Sequence, residues 1–394
     1  MKNFFNTLYI LFLIGFCYVA NDIYLPSLPA LGTYFQATDQ QVQITLTTFL
    51  LSFSLAPLFF GPISDHIGRK KVLLTGLGLA ILGTVICLLS PSIQFFIAAR
   101  FIQGIGTGGI LIAARATVSD LYVGKELAKQ MSFVTMLMPI VLSAAPTLGG
   151  ALQQFYGWQA SFICVVALFG GLAAWVAYRG ETLAHHSQAT ASQIFSTYLT
   201  HLKNRPFRLF ATNFILPAFG MFAYIAVSPF LFQEVIGLSP MVYGSLAIYL
   251  GATIFCSGFI NIKLLNYLSV NQIIAIGSSL MTLAGILLIF FHSIDLITTW
   301  SVLVPSLFYF TCMPFCVSNS ASKSLSFVKS HFGAASALMT TLQFLAGSFG
   351  SFVFTLIPIS LLPLGIALLG VGFLSFLNLH FASKEEHALK ASRA

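Results

Sequence analysis

Charge is what this chain has least of. Asp, Glu, Lys and Arg make up 7% of its 394 residues, against about 25% in a typical soluble domain. So little charge cannot give a globule a water-compatible surface, which excludes a soluble protein. Strand-length segments that alternate apolar and polar residues are also missing, which excludes an outer-membrane barrel. None of the six cysteines forms a CxxC pair. Cys17, Cys87, Cys164, Cys256, Cys312 and Cys316 all stand in apolar stretches, where cysteine acts as a small apolar packer. Cys312 and Cys316 share a helix face, but neither has a His or acidic neighbour to complete a metal site. Most histidines stand singly, and His185-His186 has no acidic neighbour beyond Glu181. No nucleophile or metal constellation appears, so a membrane-embedded enzyme is not expected.

Apolar residues are plentiful instead. Hydrophobic types reach 57%, with 40 Phe among them. A span needs about 20 apolar residues. Twelve such stretches are expected at roughly 7–29, 40–62, 72–91, 95–118, 131–154, 158–178, 208–232, 241–262, 271–291, 296–320, 331–357 and 361–382. Lys2 followed by the apolar run from Leu8 resembles a signal peptide. That run continues to about Leu28 without a convincing small-residue cleavage site, so a retained first helix is expected.

Placing the N-terminus in the cytoplasm sorts the basic residues. Sixteen of the eighteen Lys and Arg then fall in cytoplasmic segments, while Arg100 and Arg115 lie inside the fourth span. The external loops carry Asp39, Glu234 and Asp295 instead. This is the positive-inside pattern. It accounts for the net charge of +8 without a nucleic-acid partner. The expected architecture is an all-α integral membrane protein with both termini cytoplasmic. Residues 1–178 form one six-helix bundle, 179–207 a cytoplasmic linker, 208–382 a second bundle and 383–394 a tail. A short amphipathic helix is expected around Gln193–Leu202. Two halves joined this way suit a transporter with its site between them near the midplane.

A charge inside a membrane needs a reason. Asp22 is the only acid deep in a span, in Asn21-Asp22-Ile23-Tyr24-Leu25-Pro26. Pro26 removes a backbone donor and favours a kink there. A carboxyl withdrawn from water binds a proton more readily than one in solution, which suits a coupling site. Arg100, in the outer part of the fourth span, is the expected partner of Asp22, with Gln103 on the same helix face. Asn21, Tyr24, Gln103, Asn213, Tyr224 and Tyr249 are candidates to line a substrate cavity, together with Tyr309 and Asn319. Between spans two and three, Gly61 and Gly68 permit close packing and a tight turn. Asp65, Arg69, Lys70 and Asp120 can form a charge latch at the cytoplasmic face.

That loop resembles the G-x-x-x-D-x-x-G-R-[KR] signature of the major facilitator superfamily. Arg100-Phe101-Ile102-Gln103-Gly104 resembles the superfamily's fourth-helix motif. Ala145-Pro146-Thr147-Leu148-Gly149-Gly150 is similar to its antiporter motif, with Ala for the first Gly. Asn21-Asp22 followed by Pro26 resembles the helix-one motif of the Bcr/CflA, MdfA-like drug:proton antiporters. The resemblance implies export of lipophilic compounds from the bacterial inner membrane, driven by the proton gradient without a cofactor. It implies coupling roles for Asp22 and Arg100, and a bend with close packing at Pro146, Gly149 and Gly150. Some MdfA-like exporters carry a second acid two turns before the helix-one Asp. Ile14 stands there in this chain, which argues against dicationic cargo. The loop after span eight has lost the acidic and glycine parts of the signature. An exporter of a dedicated metabolite such as a siderophore, or a nutrient importer of the same fold, stays open. A monomer is expected.

Overall fold

The computed structural model describes residues 2–182, 191–328 and 332–391. Among these residues, twelve helical segments are long and apolar enough to cross a membrane. The chain divides into two compact units. One comprises Met1–Thr190 with Gln233–Gly251, and the other Ala191–Phe232 with Ala252–Ala394.

The first unit opens with a broken span. Helix α1 (Lys2–Asp22) stops within the first candidate span, a 3-10 turn follows at Leu25–Ser27, and α2 (Leu28–Phe35) completes that span. Pro26 cannot donate to the carbonyl one turn earlier, so the α-helical ladder ends there. Helix α3 (Asp39–Ile67) starts with a capping box in which Thr38 and Gln41 satisfy each other's backbone N–H groups. It ends at Gly68, whose φ of 103° favours glycine. Then come α4 (Arg69–Leu89), α5 (Ile93–Leu121), α6 (Gly124–Tyr156) and α7 (Trp158–Tyr178).

Helix α5 is packed by small residues on two sides. A Cβ on Gly104 or Gly108 would run into the carbonyls of Phe49 and Phe53 on α3. A Cβ on Gly83 of α4 would sit 2.5 Å from the Gln103 nitrogen. Helices in lipid gain little from the hydrophobic effect, so they associate by such backbone-to-backbone approach. The result is that Arg100, on α5, is fully buried.

In the second unit, α8 (Ala191–Lys203) occupies part of the expected linker and α9 (Arg205–Phe230) follows. His185-His186 lie outside the described residues. Helix α10 (Pro240–Leu264) belongs to the first unit as far as Gly251 and to the second beyond it. Then come α11 (Val270–Ser293), α12 (Thr299–Cys312), a π-helical turn (Met313–Ser318), α13 (Asn319–Ser326), α14 (Phe332–Thr355) and α15 (Leu361–Ala391). The start of the expected cytoplasmic tail, from 383 on, is helical and anchored. Glu386 on α15 is buried and accepts from Lys323 Nζ at 2.6 and 2.7 Å and from Asn271 Nδ2 at 3.2 Å. A buried carboxylate is tolerable when a cation and further donors offset its lost water. Residues 392–394 lie outside the description.

Candidate functional site

Asp22 is the last residue of α1, where the backbone leaves helical geometry. It is buried, and its Oδ1 accepts from Asn21 Nδ2 at 2.7 Å. The break frees carbonyls that lipid cannot satisfy. Other elements of the same unit supply donors. Arg100 Nη1 approaches the Ala20 oxygen at 3.4 Å, Ser161 Oγ the Ile23 oxygen at 3.4 Å, and Gln233 Nε2 the Pro26 oxygen at 3.1 Å.

Arg100 does not pair with Asp22. The ion pairs among the described residues do not include one between them. The guanidinium lies instead between two rings, 4.1 Å from the Tyr24 centroid and 4.2 Å from that of Phe49. A desolvated cation–π contact is worth about 2 kcal/mol, which offsets part of the lost hydration. Nη1 also donates to Gln103 Oε1, and Gln103 Nε2 donates to Thr84 Oγ1 at 2.9 Å. Arg100 Nε and Nη2 have no partner.

The residues resembling an antiporter motif pack onto this break. A Cβ on Gly149 would collide with the Ile23 carbonyl, one residue past Asp22. On the next position of α6, a Cβ on Gly150 would collide with the Pro240 carbonyl. One on Gly244 of α10 would collide with that of Pro146. Thr147 Oγ1 donates to the Gly244 oxygen at 3.1 Å. Pro146 and Pro139 both lie inside α6.

The loop after α3 forms a charge cluster around Arg69. Its Nε donates to Asp120 Oδ2 at 2.8 Å, and its Nη1 to Asp65 and to Ser64 Oγ at 3.1 Å. Glu181 completes it, with Oε1 accepting from the Arg69 backbone N–H at 2.9 Å and Oε2 from that of Lys70 at 3.0 Å. A carboxylate there meets both the free donors and the positive end of the α4 dipole. Lys70 Nζ donates to the Ala177 oxygen at 2.7 Å. Gly61 is less constrained than expected, because a Cβ there would meet only Ile112, at an ordinary 3.8 Å.

The sequence profile of the Major Facilitator Superfamily matches residues 10–351. The chain belongs to the major facilitator superfamily. An uncharacterized MFS-type transporter of Bacillus subtilis, YdgK, is 30% identical over 91% of each chain. Multidrug resistance protein D of Escherichia coli is 28% identical over 74% of this chain and 73% of its own. A bicyclomycin resistance protein homolog of Haemophilus influenzae is 26% identical over 83% of each. Among solved structures, a peptide transporter bound to alafosfalin superposes with a TM-score of 0.76 at 15% identity. It covers 97% of this chain and 95% of its own, a likeness of fold. This superfamily member is therefore a multi-pass protein of the bacterial inner membrane, and its family moves small molecules.

The expected cavity residues separate into different environments. Tyr24 is buried beneath Arg100, sharing a hydrogen bond with Thr45 at 3.3 Å. In the second unit Asn213 is fully buried, accepts from Ser375 Oγ at 3.2 Å and leaves Nδ2 without a partner. Tyr224, also buried, packs edge-on against Phe310. Tyr309 and Asn319 are helix braces, donating to the Pro217 oxygen at 2.7 Å and to Asn261 Oδ1 at 2.7 Å. Tyr249 is 50% exposed, so it is not part of a buried lining. Sequence reading gave no role to Glu181, Thr84 or Gln43. Glu181 lies 112 residues from the helix start that it caps. Thr84 reads as an ordinary span residue. Gln43 is fully buried, and neither its amide nitrogen nor its oxygen has a partner. A polar residue in the first turns of a span was its one available signal.

Proposed function

We propose that this chain is a proton-coupled antiporter that exports lipophilic drugs from the bacterial cytoplasm by alternating access. The observation that carries the reading is the state of Asp22. This carboxyl is buried at a broken membrane helix, has no cation bonded to it and lies beside the Gly149 contact. A buried carboxyl can exchange a proton for a cargo only if no protein cation holds it permanently ionised. Discontinuous helices place such groups at transport sites. Relatives named for multidrug, bicyclomycin and chloramphenicol resistance support a drug as cargo. The proton gradient is the energy source and no cofactor takes part. Both termini face the cytoplasm, the Arg69 cluster acts as a gate latch on that side, the protein catalyses no reaction and a monomer is the working unit. The reading is tested in inverted membrane vesicles with an imposed inward-acid pH gradient. Chloramphenicol should accumulate in vesicles carrying the protein and leak out when the gradient is collapsed. Accumulation that survives collapse of the gradient would contradict it.

A further inference from the structure

We infer that Thr84 is a positioning residue for proton coupling: through Gln103 it holds the Arg100 guanidinium off Asp22. The inference rests on the reading of Asp22 as the proton carrier. The geometry is a chain of buried donors and acceptors. Thr84 Oγ1 gives its own proton to the Ala80 carbonyl at 2.6 Å. Its oxygen is then left only to accept, and it accepts from Gln103 Nε2 at 2.9 Å. That choice orients the Gln103 amide, because the nitrogen faces Thr84 and the oxygen must face the other way. The oxygen takes the Nη1 proton of Arg100. A reversed amide would present N–H to a guanidinium that has no acceptor atom. The three residues are all buried.

The register of the two helices is held by backbone contact. A Cβ on Gly83 would stand 2.5 Å from the Gln103 nitrogen and 2.9 Å from the Ala99 oxygen, and one on Gly76 2.9 Å from the Gly106 oxygen. Thr84 therefore cannot drift from Gln103 without separating α4 from α5. Arg100 keeps two unpartnered donors, Nε and Nη2. Nη1 already approaches the Ala20 oxygen at 3.4 Å, two residues before Asp22 on the same helix, so the acid to which a guanidinium released by Gln103 can turn is Asp22. The elements packed on α1 offer few other charges to compete. Helix α5 adds Arg115 and Asp120 further along. Helix α6 has Lys125, Glu126 and Lys129 in its first two turns and none from Gln130 to Tyr156. Helix α7 carries none. Arg179, just past its end, contacts α1 at Asn6 and Tyr9, far along the helix from Asp22. Cys87 of α4 is the thiol near Arg100. Tyr18 and Tyr24 are the nearby phenols.

Loss of the Thr84 hydroxyl should thus let Arg100 turn to Asp22 and favour the carboxylate. The test uses full-length protein in detergent, with chloramphenicol as probe and drug-induced proton release recorded against pH. Wild type, Thr84→Val, Thr84→Ser and Asp22→Asn are compared. Thr84→Val should need a pH lower by roughly 1–3 units for half-maximal release, the range over which an adjacent Arg acts on a carboxyl. Thr84→Ser, which keeps the hydroxyl, should follow wild type, and Asp22→Asn should release nothing. A Thr84→Val profile superposed on wild type overturns the inference, whatever its melting temperature, as does a Thr84→Ser profile displaced as far as that of Thr84→Val. Proton release by Asp22→Asn would instead overturn the reading of Asp22 itself.

Discussion

A guanidinium that loses its water must find replacements, and Arg100 shows how few are needed. Two ring faces, one amide oxygen and the Ala20 carbonyl take the place of an anion. Gln43 is the opposite case. Its carboxamide is fully buried with both atoms unpartnered, a cost of roughly 1–3 kcal/mol. Gln43→Met removes the polar atoms at similar volume. The purified variant should melt higher than wild type by roughly 1–4 °C, since about 1 kcal/mol moves the midpoint 2–4 °C in proteins of 150–250 residues and less in larger ones. A lower midpoint would mean that the carboxamide is satisfied after all. At this scale the sequence was informative about which residues matter and less so about what they touch. Asp22 and Arg100 stand out because each is a rare charge in an apolar run. Their expected ion pair could not be checked against competitors, because the rings of Tyr24 and Phe49 and the Thr84 hydroxyl come from other turns and other helices.

At the scale of elements, the broken first span and the small face of α6 form one structure. The break needs donors for its free carbonyls and a neighbour without side-chain bulk. Gly149 provides the second, lying where any Cβ would strike the Ile23 carbonyl. A backbone atom cannot swing aside as a side chain can. Gly149→Leu should therefore abolish drug transport and cost about 1–3 kcal/mol through overpacking, while Leu148→Ala on the exposed face should do neither. Transport assays and melting curves on both variants check this, and normal transport by Gly149→Leu would refute the contact. Pro26 made the break legible, and Pro146 with its two glycines marked the packing face. Their meeting was not legible, because they lie over a hundred residues apart and pattern alone assigns no partner to a small-residue face. The twelve spans were readable from hydropathy, since every crossing must bury its backbone in apolar length. Their ends were underestimated where helices run on past the apolar stretch: α6 begins at Gly124 and α15 continues to Ala391.

At the scale of the whole molecule, transport demands that the protein change state while its charges stay compensated. The Arg69 cluster meets that demand with Asp65, Asp120 and the cap of Glu181. The largely buried Arg69–Asp120 bond is worth roughly 1.5–3 kcal/mol. The more exposed Asp65 and Glu181 contacts add about 0–1 kcal/mol each, together a scale able to bias a conformational equilibrium. Arg69→Ala or Asp65→Asn should slow turnover about tenfold or more and leave chloramphenicol affinity within about twofold. Stopped-flow transport beside equilibrium binding separates the two effects. Weakened binding with normal turnover would contradict a latch. The loop's signature residues were readable as a charge cluster, while Glu181, far along the chain, was not.

The central claim is opposed exchange of drug and proton through Asp22. The most direct measurement is simultaneous recording of chloramphenicol and proton fluxes in sealed liposomes containing the purified protein. The account predicts opposite flows in fixed ratio, both abolished in Asp22→Asn while that variant stays folded. Flows in the same direction, or an undiminished coupled flux in Asp22→Asn, would contradict it.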